Sequence, residues 1–290
     1  MLKRSYSLLI LLVSLTSLVH ADPALYEKGL LWQVERPGET ASFVFGTIHS
    51  EDPRVIELPI FVRQSFNHSQ RLIMELVPDP QAIASIAGKF QLTGGKTLEP
   101  MFDAELYRQA MTIASNFGLP EIAAKRFKPW ALATTISIPK PETGLFLDNR
   151  LYLMAQRDKK PVFGLESAEE QLNIFDKLSD EDQVTLLRDS VENHPQIAAE
   201  LEKMLQVYVA RDLGALWEIQ ELAKNDGDAD LNERLAKRMV DDRNRLMVTR
   251  MTPYLEQGRS FVAVGALHLP GEVGILNLLK QQGYKVSRVY

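Results

Sequence analysis

The sequence predicts an α/β fold: a mixed, mostly parallel sheet flanked by helices, with a helical insertion at about 167–256. Three observations predict it. Six short apolar segments rich in β-branched or aromatic residues read as strands, at 30–35, 42–49, 71–77, 161–166, 260–268 and 284–290. Segments with apolar residues three and four apart, the helical spacing, fall between most of them. The stretch 167–256 keeps helical spacing and offers no strand. Strands alternating with helices bury their apolar faces best as a sheet covered by packed helices.

Taken in order, the chain opens on "MLKRSYSLLILLVSLTSLVHA". Two basic residues, an apolar run and a small residue at Ala21 read as a secretory signal over 1–21. The apolar run is shorter than the ~18–20 residues that a membrane span needs. Export to the periplasm or the exterior is therefore expected, with 22–290 as one α/β domain. "LLWQVE" (30–35) and "SFVFGTIH" (42–49) flank the turn-forming Pro37-Gly38 and are expected to pair as a hairpin. Helices are expected at 54–66, 103–117, 145–157 and 271–283. The insertion should break near Asn193-His194-Pro195, near Arg211-Asp212 and around 224–230.

Composition narrows the function. Loss of Lys3 and Arg4 with the signal takes Lys+Arg from 33 to 31 against 38 Asp+Glu, a formal charge of −7. That acidity argues against nucleic acid or an anionic lipid surface as partner, since both require clustered positive charge. With no cysteine in the chain, a disulfide scaffold and a thiol nucleophile are excluded. After signal cleavage no segment is long and apolar enough for a stable membrane span.

Four strands end in a chemically costly residue. "FVFGTIH" ends in His49, "RLIME" in Glu75, "PVFGLE" in Glu166 and "VAVGALH" in His268. In open α/β sheets, ligands bind beyond the carboxyl ends of the strands. Unpaired buried carboxylates cost several kcal/mol, so these need a cation, a proton or hydrogen bonds. Two imidazoles with one or two carboxylates form a common ligand set for a divalent transition metal. The spare carboxylate would be placed to act as general base. Gly46 and Gly265, three residues before each histidine, suit a close approach by a neighbouring group, or a bulge. Asp148, Arg243 and Asn244 interrupt apolar helix faces and need partners. They are expected either to serve the site or to pair structurally, as Asp148 with Arg243 would. "SAEE" after Glu166 matches a capping box, with Gln171 next on the first turn.

These residues resemble the TraB/GumN family, which includes the Tiki-type proteins. The resemblance rests on "FGTIH" (45–49), "LIMEL" (72–76), "LFLDNRLYLMAQRDKKPVFGLESAEEQL" (145–172), "DDRNRLM" (241–247) and "FVAVGALHLPGEVGILNLLKQQGYKV" (261–286). It implies a fold related to the erythromycin-esterase and ChaN-like proteins, and metal-dependent hydrolysis, with peptidase activity among the Tiki-type members. Matched by position, the paired glycines and histidines are Gly46, His49, Gly265 and His268, the acids Glu75 and Glu166, and the Arg-Asn pair Arg243 and Asn244. Asp242 stands where glutamate is expected before that pair.

The expectation is an exported metal-dependent hydrolase, a peptidase acting on peptide or protein. His49, Glu75 and His268 would ligate Mn, Co or Zn, and Glu166, Arg243 and Asn244 would act in catalysis. Gly46, Asp148, Gln171 and Gly265 would support them or the substrate. The alternatives are a non-catalytic binder of peptide, haem or metal in the same cleft, and an esterase.

Overall fold

The computed structural model describes residues 26–290 apart from 80–83, 85, 139 and 225–226, so the expected signal at 1–21 lies outside the described residues. Six strands form one sheet: β1 (Leu31–Glu35), β2 (Ser42–Thr47), β3 (Arg71–Met74), β4 (Val162–Gly164), β5 (Ser260–Gly265) and β6 (Lys285–Arg288). Their order is β4–β3–β5–β2–β1–β6. The first four in that row are mutually parallel, and β1 runs antiparallel to both β2 and β6. The mixed, mostly parallel sheet and the β1–β2 hairpin are as expected.

Central parallel strands are covered on both faces and so read as unbroken apolar runs. Val44, Leu72, Ile73, Phe261, Val262 and Val264 are all fully buried. Register then decides where the chemistry lies. Thr47 pairs with Gly265, while Met74 pairs with Ala263 on one side and Gly164 on the other. All four parallel strands therefore end at one rim. The β3–β4 pairing continues past the strands, with the Leu165 amide on the Met74 carbonyl and the Glu166 amide on the Glu75 carbonyl, both at 2.8 Å.

Beyond one-turn helices at Pro53–Ile56 and Glu121–Ala124, the helices are α1 (Ile60–His68), α2 (Ala104–Asn116), α3 (Pro129–Ile136), α4 (Leu147–Arg157), α5 (Ala168–Asp176), α6 (Asp180–Glu192), α7 (Ile197–Val209), α8 (Leu213–Lys224), α9 (Ala229–Ala236), α10 (Asp242–Glu256) and α11 (Ile275–Gln281). The helix expected at 54–66 is split at Pro59, which precedes α1 and disfavours helical geometry in Leu58. Between α9 and α10 lies a π-helical turn, Lys237–Asp241. Such turns rotate the residues that follow them and recur at functional sites.

Two cores result. The first joins the sheet to α1, α4, α10 and α11. The second is helical: Leu106, Trp130, Ile136, Leu187 and Leu235 bring α2, α3, α6 and α9 together. Thus α2 and α3, which precede β4, share a core with helices from the 167–256 stretch. Among the described residues no helix is long and apolar enough to cross a membrane.

Candidate functional site

At the rim, Arg243 joins two glutamates from neighbouring strands. Its Nη2 donates to Glu75 Oε2 at 2.8 Å and to Glu166 Oε2 at 2.7 Å, while Nε lies 3.0 Å from both Glu166 oxygens. Nη1 donates to the Met239 carbonyl in the π-turn at 3.1 Å. A guanidinium has five N–H donors, so one on Nη1 remains. The Glu166 side chain is only 2% exposed and that of Arg243 14%. Burial disfavours the charged arginine, but the hydrogen bonds and charges of Glu166 and Glu75 outweigh it and raise its pKa.

The imidazole of His268 meets the other side of Glu75. After β5 the chain winds into a 3₁₀ turn, Ala266–His268, which turns this ring into the protein. Asn244 donates from Nδ2 to the Val273 carbonyl at 3.0 Å, so its Oδ1, 2.7 Å from His268 Nδ1, is the acceptor. Only a protonated Nδ1 completes that bond. Burial pushes the ring below its ordinary pKa, against the pull of the Glu75 charge, and a neutral ring bonded in this way carries its lone pair on Nε2. That lone pair faces Glu75 Oε1 at 3.5 Å. Burial alone would raise the Glu75 carboxyl, but the positive charge that the His268 ring carries when protonated, the Arg243 guanidinium and the Gly265 amide hold it below its ordinary value. With the ring neutral, a buried acceptor thus faces a half-buried one, and the pair calls for a cation or a proton between them.

Both glycines make room, for different neighbours. A Cβ at Gly265 would lie 3.2 Å from Glu75 Oε1 and 3.3 Å from His268 Cδ2. At Gly46 it would lie 2.8 Å from Leu269 Cδ1 and 3.1 Å from Ala266 Cα. There, glycine lets the turn carrying His268 cross β2. The Gly46 carbonyl also accepts the buried Tyr208 hydroxyl at 2.9 Å. Gly46→Ala is expected to cost about 1–3 kcal/mol by overpacking, as a lowered urea midpoint; an unchanged midpoint would show that the crossing can relax.

His49 is placed differently. Its side chain is 59% exposed, its Nδ1 lies 3.7 Å from Asp148 Oδ2, and its ring stacks on Phe146 at 3.8 Å. Asp148 also accepts the Thr47 hydroxyl at 2.8 Å. Asp148 and Arg243 do not pair with each other; each serves a different part of the rim. Among the described residues no three His, Cys, Asp or Glu side chains are grouped so as to hold a metal. The donors nevertheless fit one in part. Metal bonds of about 2.1 Å in tetrahedral geometry separate neighbouring ligands by roughly 3.4 Å, close to the Glu75–His268 spacing of 3.5 Å. Asn244 on Nδ1 is the kind of partner that orients a ligating histidine.

The turn bearing Glu166 is braced from behind. Ser167 and Glu170 form the capping box of α5, and Gln171 Nε2 donates to Glu166 Oε2 at 3.1 Å. Arg250 donates to the Leu165 carbonyl at 2.6 Å and to both Glu170 oxygens at 2.9 and 2.7 Å. Arg250 was missed from sequence, though it lies seven residues after Arg243 on the same face of α10. Thr47, Phe146 and Tyr208 carried no comparable signal. The Arg250 pairing and the Ser167 amide lower the Glu170 carboxyl to about 2. Its contribution to stability is therefore complete above the ordinary carboxyl value and fades as pH falls towards 2. Because the pair is half exposed, Glu170→Ala should cost only about 1–2 kcal/mol at pH 7, most of it from the lost cap. Thermal unfolding should show that gap at pH 7 and a smaller one at pH 3; a gap that widens on acidification would contradict it.

Comparison with known proteins places this site in context. Metalloprotease TIKI2 of Danio rerio is 24% identical over 315 aligned residues, covering 90% of this chain and 61% of that protein. The Metalloprotease TIKI homolog of Amphimedon queenslandica is 23% identical over 97% of this chain and 65% of its own length. This chain thus spans less than two thirds of either TIKI relative. The uncharacterised protein YbaP of Escherichia coli strain K12 is 24% identical, over 84% of this chain and 89% of its own. No solved structure matches significantly. The TraB/PrgY/gumN family profile matches residues 30–288, from the first strand to the last, and the chain belongs to that family.

Proposed function

We propose that this protein is an exported metal-dependent hydrolase acting on peptide or protein substrates. The observation that carries the reading is the Glu75–His268 pair, a half-buried carboxylate 3.5 Å from a buried imidazole at the carboxyl rim of the sheet, with the ring's Nδ1 held by Asn244. Relatives named metalloproteases support it. Glu75 and His268 would hold the ion, and His49, exposed at the end of the next strand, is the third candidate donor. A bound divalent cation supplies Lewis-acid chemistry and acidifies water.

The chain's own groups do the rest. Asn244 keeps the Nε2 lone pair of His268 directed at Glu75. The remaining Nη1 N–H of Arg243 is available to an oxygen that gains negative charge. Glu166 was expected to activate water, but both its oxygens are engaged by Arg243 and Gln171. In this reading it acts by positioning Arg243. The same engagement favours a second reading, a non-catalytic binder, because neither oxygen of Glu166 is left to act as base.

Cleavage of a peptide library separates the two. The hydrolase reading expects turnover by wild type that a chelator abolishes and one divalent metal restores, and loss on the order of 100-fold or more in Glu75→Gln. Wild-type protein that cleaves nothing with Mn, Co or Zn added would leave the binder.

A further inference from the structure

A second cleft of about 790 Å³ lies between α1 and α4, lined by Glu57, Ile60, Arg63, Asn67, Arg150, Leu153, Met154 and Arg157 among others. Ile60, Arg63 and Asn67 lie on one face of α1. Arg150, Leu153, Met154 and Arg157 repeat the same spacing on α4. Two helical turns give a groove about 10 Å long, enough for roughly three residues of extended chain at 3.3 Å each.

The chemistry of its walls is specific. Ile60 and Leu153 are 52% and 55% exposed, unusual for large apolar side chains. Arg157 is paired with Asp158 at 2.8 Å. Among the described residues, Arg63 and Arg150 have no carboxylate within ion-pair distance, and Arg150 Nε is shielded from solvent without a hydrogen-bond partner. A shielded N–H without an acceptor is costly, and a carboxylate against guanidinium is the acceptor that fits it best. Among the described residues Glu57 is the sole acid of the lining, against three arginines, so the cleft is net positive in a chain of net negative charge. Asn67 adds an amide able to donate and accept, which suits a peptide group and has no counterpart on an acyl chain. Leu145 of the lining immediately precedes Phe146, on which His49 stacks, so the cleft and the rim share the segment that enters α4.

We propose that this cleft binds an acidic, apolar peptide segment, with Arg63 and Arg150 taking a side-chain carboxylate and Ile60, Leu153 and Met154 the apolar residue beside it. As a substrate subsite this rests on the hydrolase reading; as a peptide site it stands on the cleft alone.

Fluorescence anisotropy with a fluorescein-labelled peptide of alternating Glu and Leu tests it. Arg150→Gln is expected to weaken binding at least tenfold. Arg63→Gln and Leu153→Asp, both at exposed positions that leave the core intact, should each weaken it at least fivefold. Replacing Glu by Lys in the peptide should abolish binding, and dodecanoate should not compete. Absence of wild-type binding, affinities within twofold in both exposed variants, or displacement by dodecanoate would overturn the proposal. A cleavage assay on the same peptide keeps the claims apart. Binding without cleavage counts against the hydrolase and leaves the cleft, while cleavage untouched by the cleft variants counts against the cleft alone.

Discussion

Arg243→Met is expected to destabilise the protein by about 3–5 kcal/mol, the usual cost of leaving a buried charge without its partner. Here the loss strands two carboxylates rather than one. Among the described residues Glu166 would keep only the Gln171 amide, and Glu75 only the Gly265 amide and the His268 ring. Methionine fills the volume, so the effect read by urea unfolding is electrostatic rather than a cavity. Adding Glu166→Gln to Arg243→Met should recover at least about 1 kcal/mol, since the residues are in direct contact and cannot behave additively. An Arg243→Met protein within 1 kcal/mol of wild type would mean that the three side chains are solvated and do not form one network.

The second large effect lies in activity. His268→Gln is expected to lower kcat/KM on any cleaved peptide by on the order of 1000-fold or more, because it removes a group that acts only as part of a set. Asn244→Leu should cost a further-removed but measurable 10–100-fold or so, the typical penalty for losing the partner that orients a ligating imidazole. Asn244 is fully buried between His268 and the Val273 carbonyl. Circular dichroism on both variants separates loss of chemistry from loss of fold. Equal kcat/KM for Asn244→Leu and wild type would show that the ring needs no fixed tautomer.

How much of this was legible follows from what sequence encodes. Apolar runs such as 260–264 reveal buried strands, and parallel pairing places their ends at one rim; from that, Glu75, Glu166 and His268 could be grouped. Side-chain direction beyond a strand end is not encoded in spacing. The two Gly-x-x-His segments are alike in sequence, yet the chain after β5 coils into a 3₁₀ turn and buries His268, whereas the chain after β2 leaves His49 exposed against Phe146. Arg243 was legible as a polar break in an apolar face. Its partners were not, because the π-turn at Lys237–Asp241 changes the rotation of α10 relative to any simple helical count. Asp242, the departure from the family pattern, lies outside the cluster and pairs with Lys237 at 2.5 Å. The helical core was illegible for another reason: amphipathic faces record that α2, α3, α6 and α9 need partners, not which ones.

The central claim is that Glu75 and His268 together hold a cation, and isothermal titration of Mn, Co or Zn into wild type, Glu75→Gln and His268→Gln tests it most directly. One ion per wild-type chain is expected, with affinity at least 100-fold weaker in both variants. Wild-type protein that takes up no stoichiometric ion, or variants that bind as tightly as it does, would contradict it.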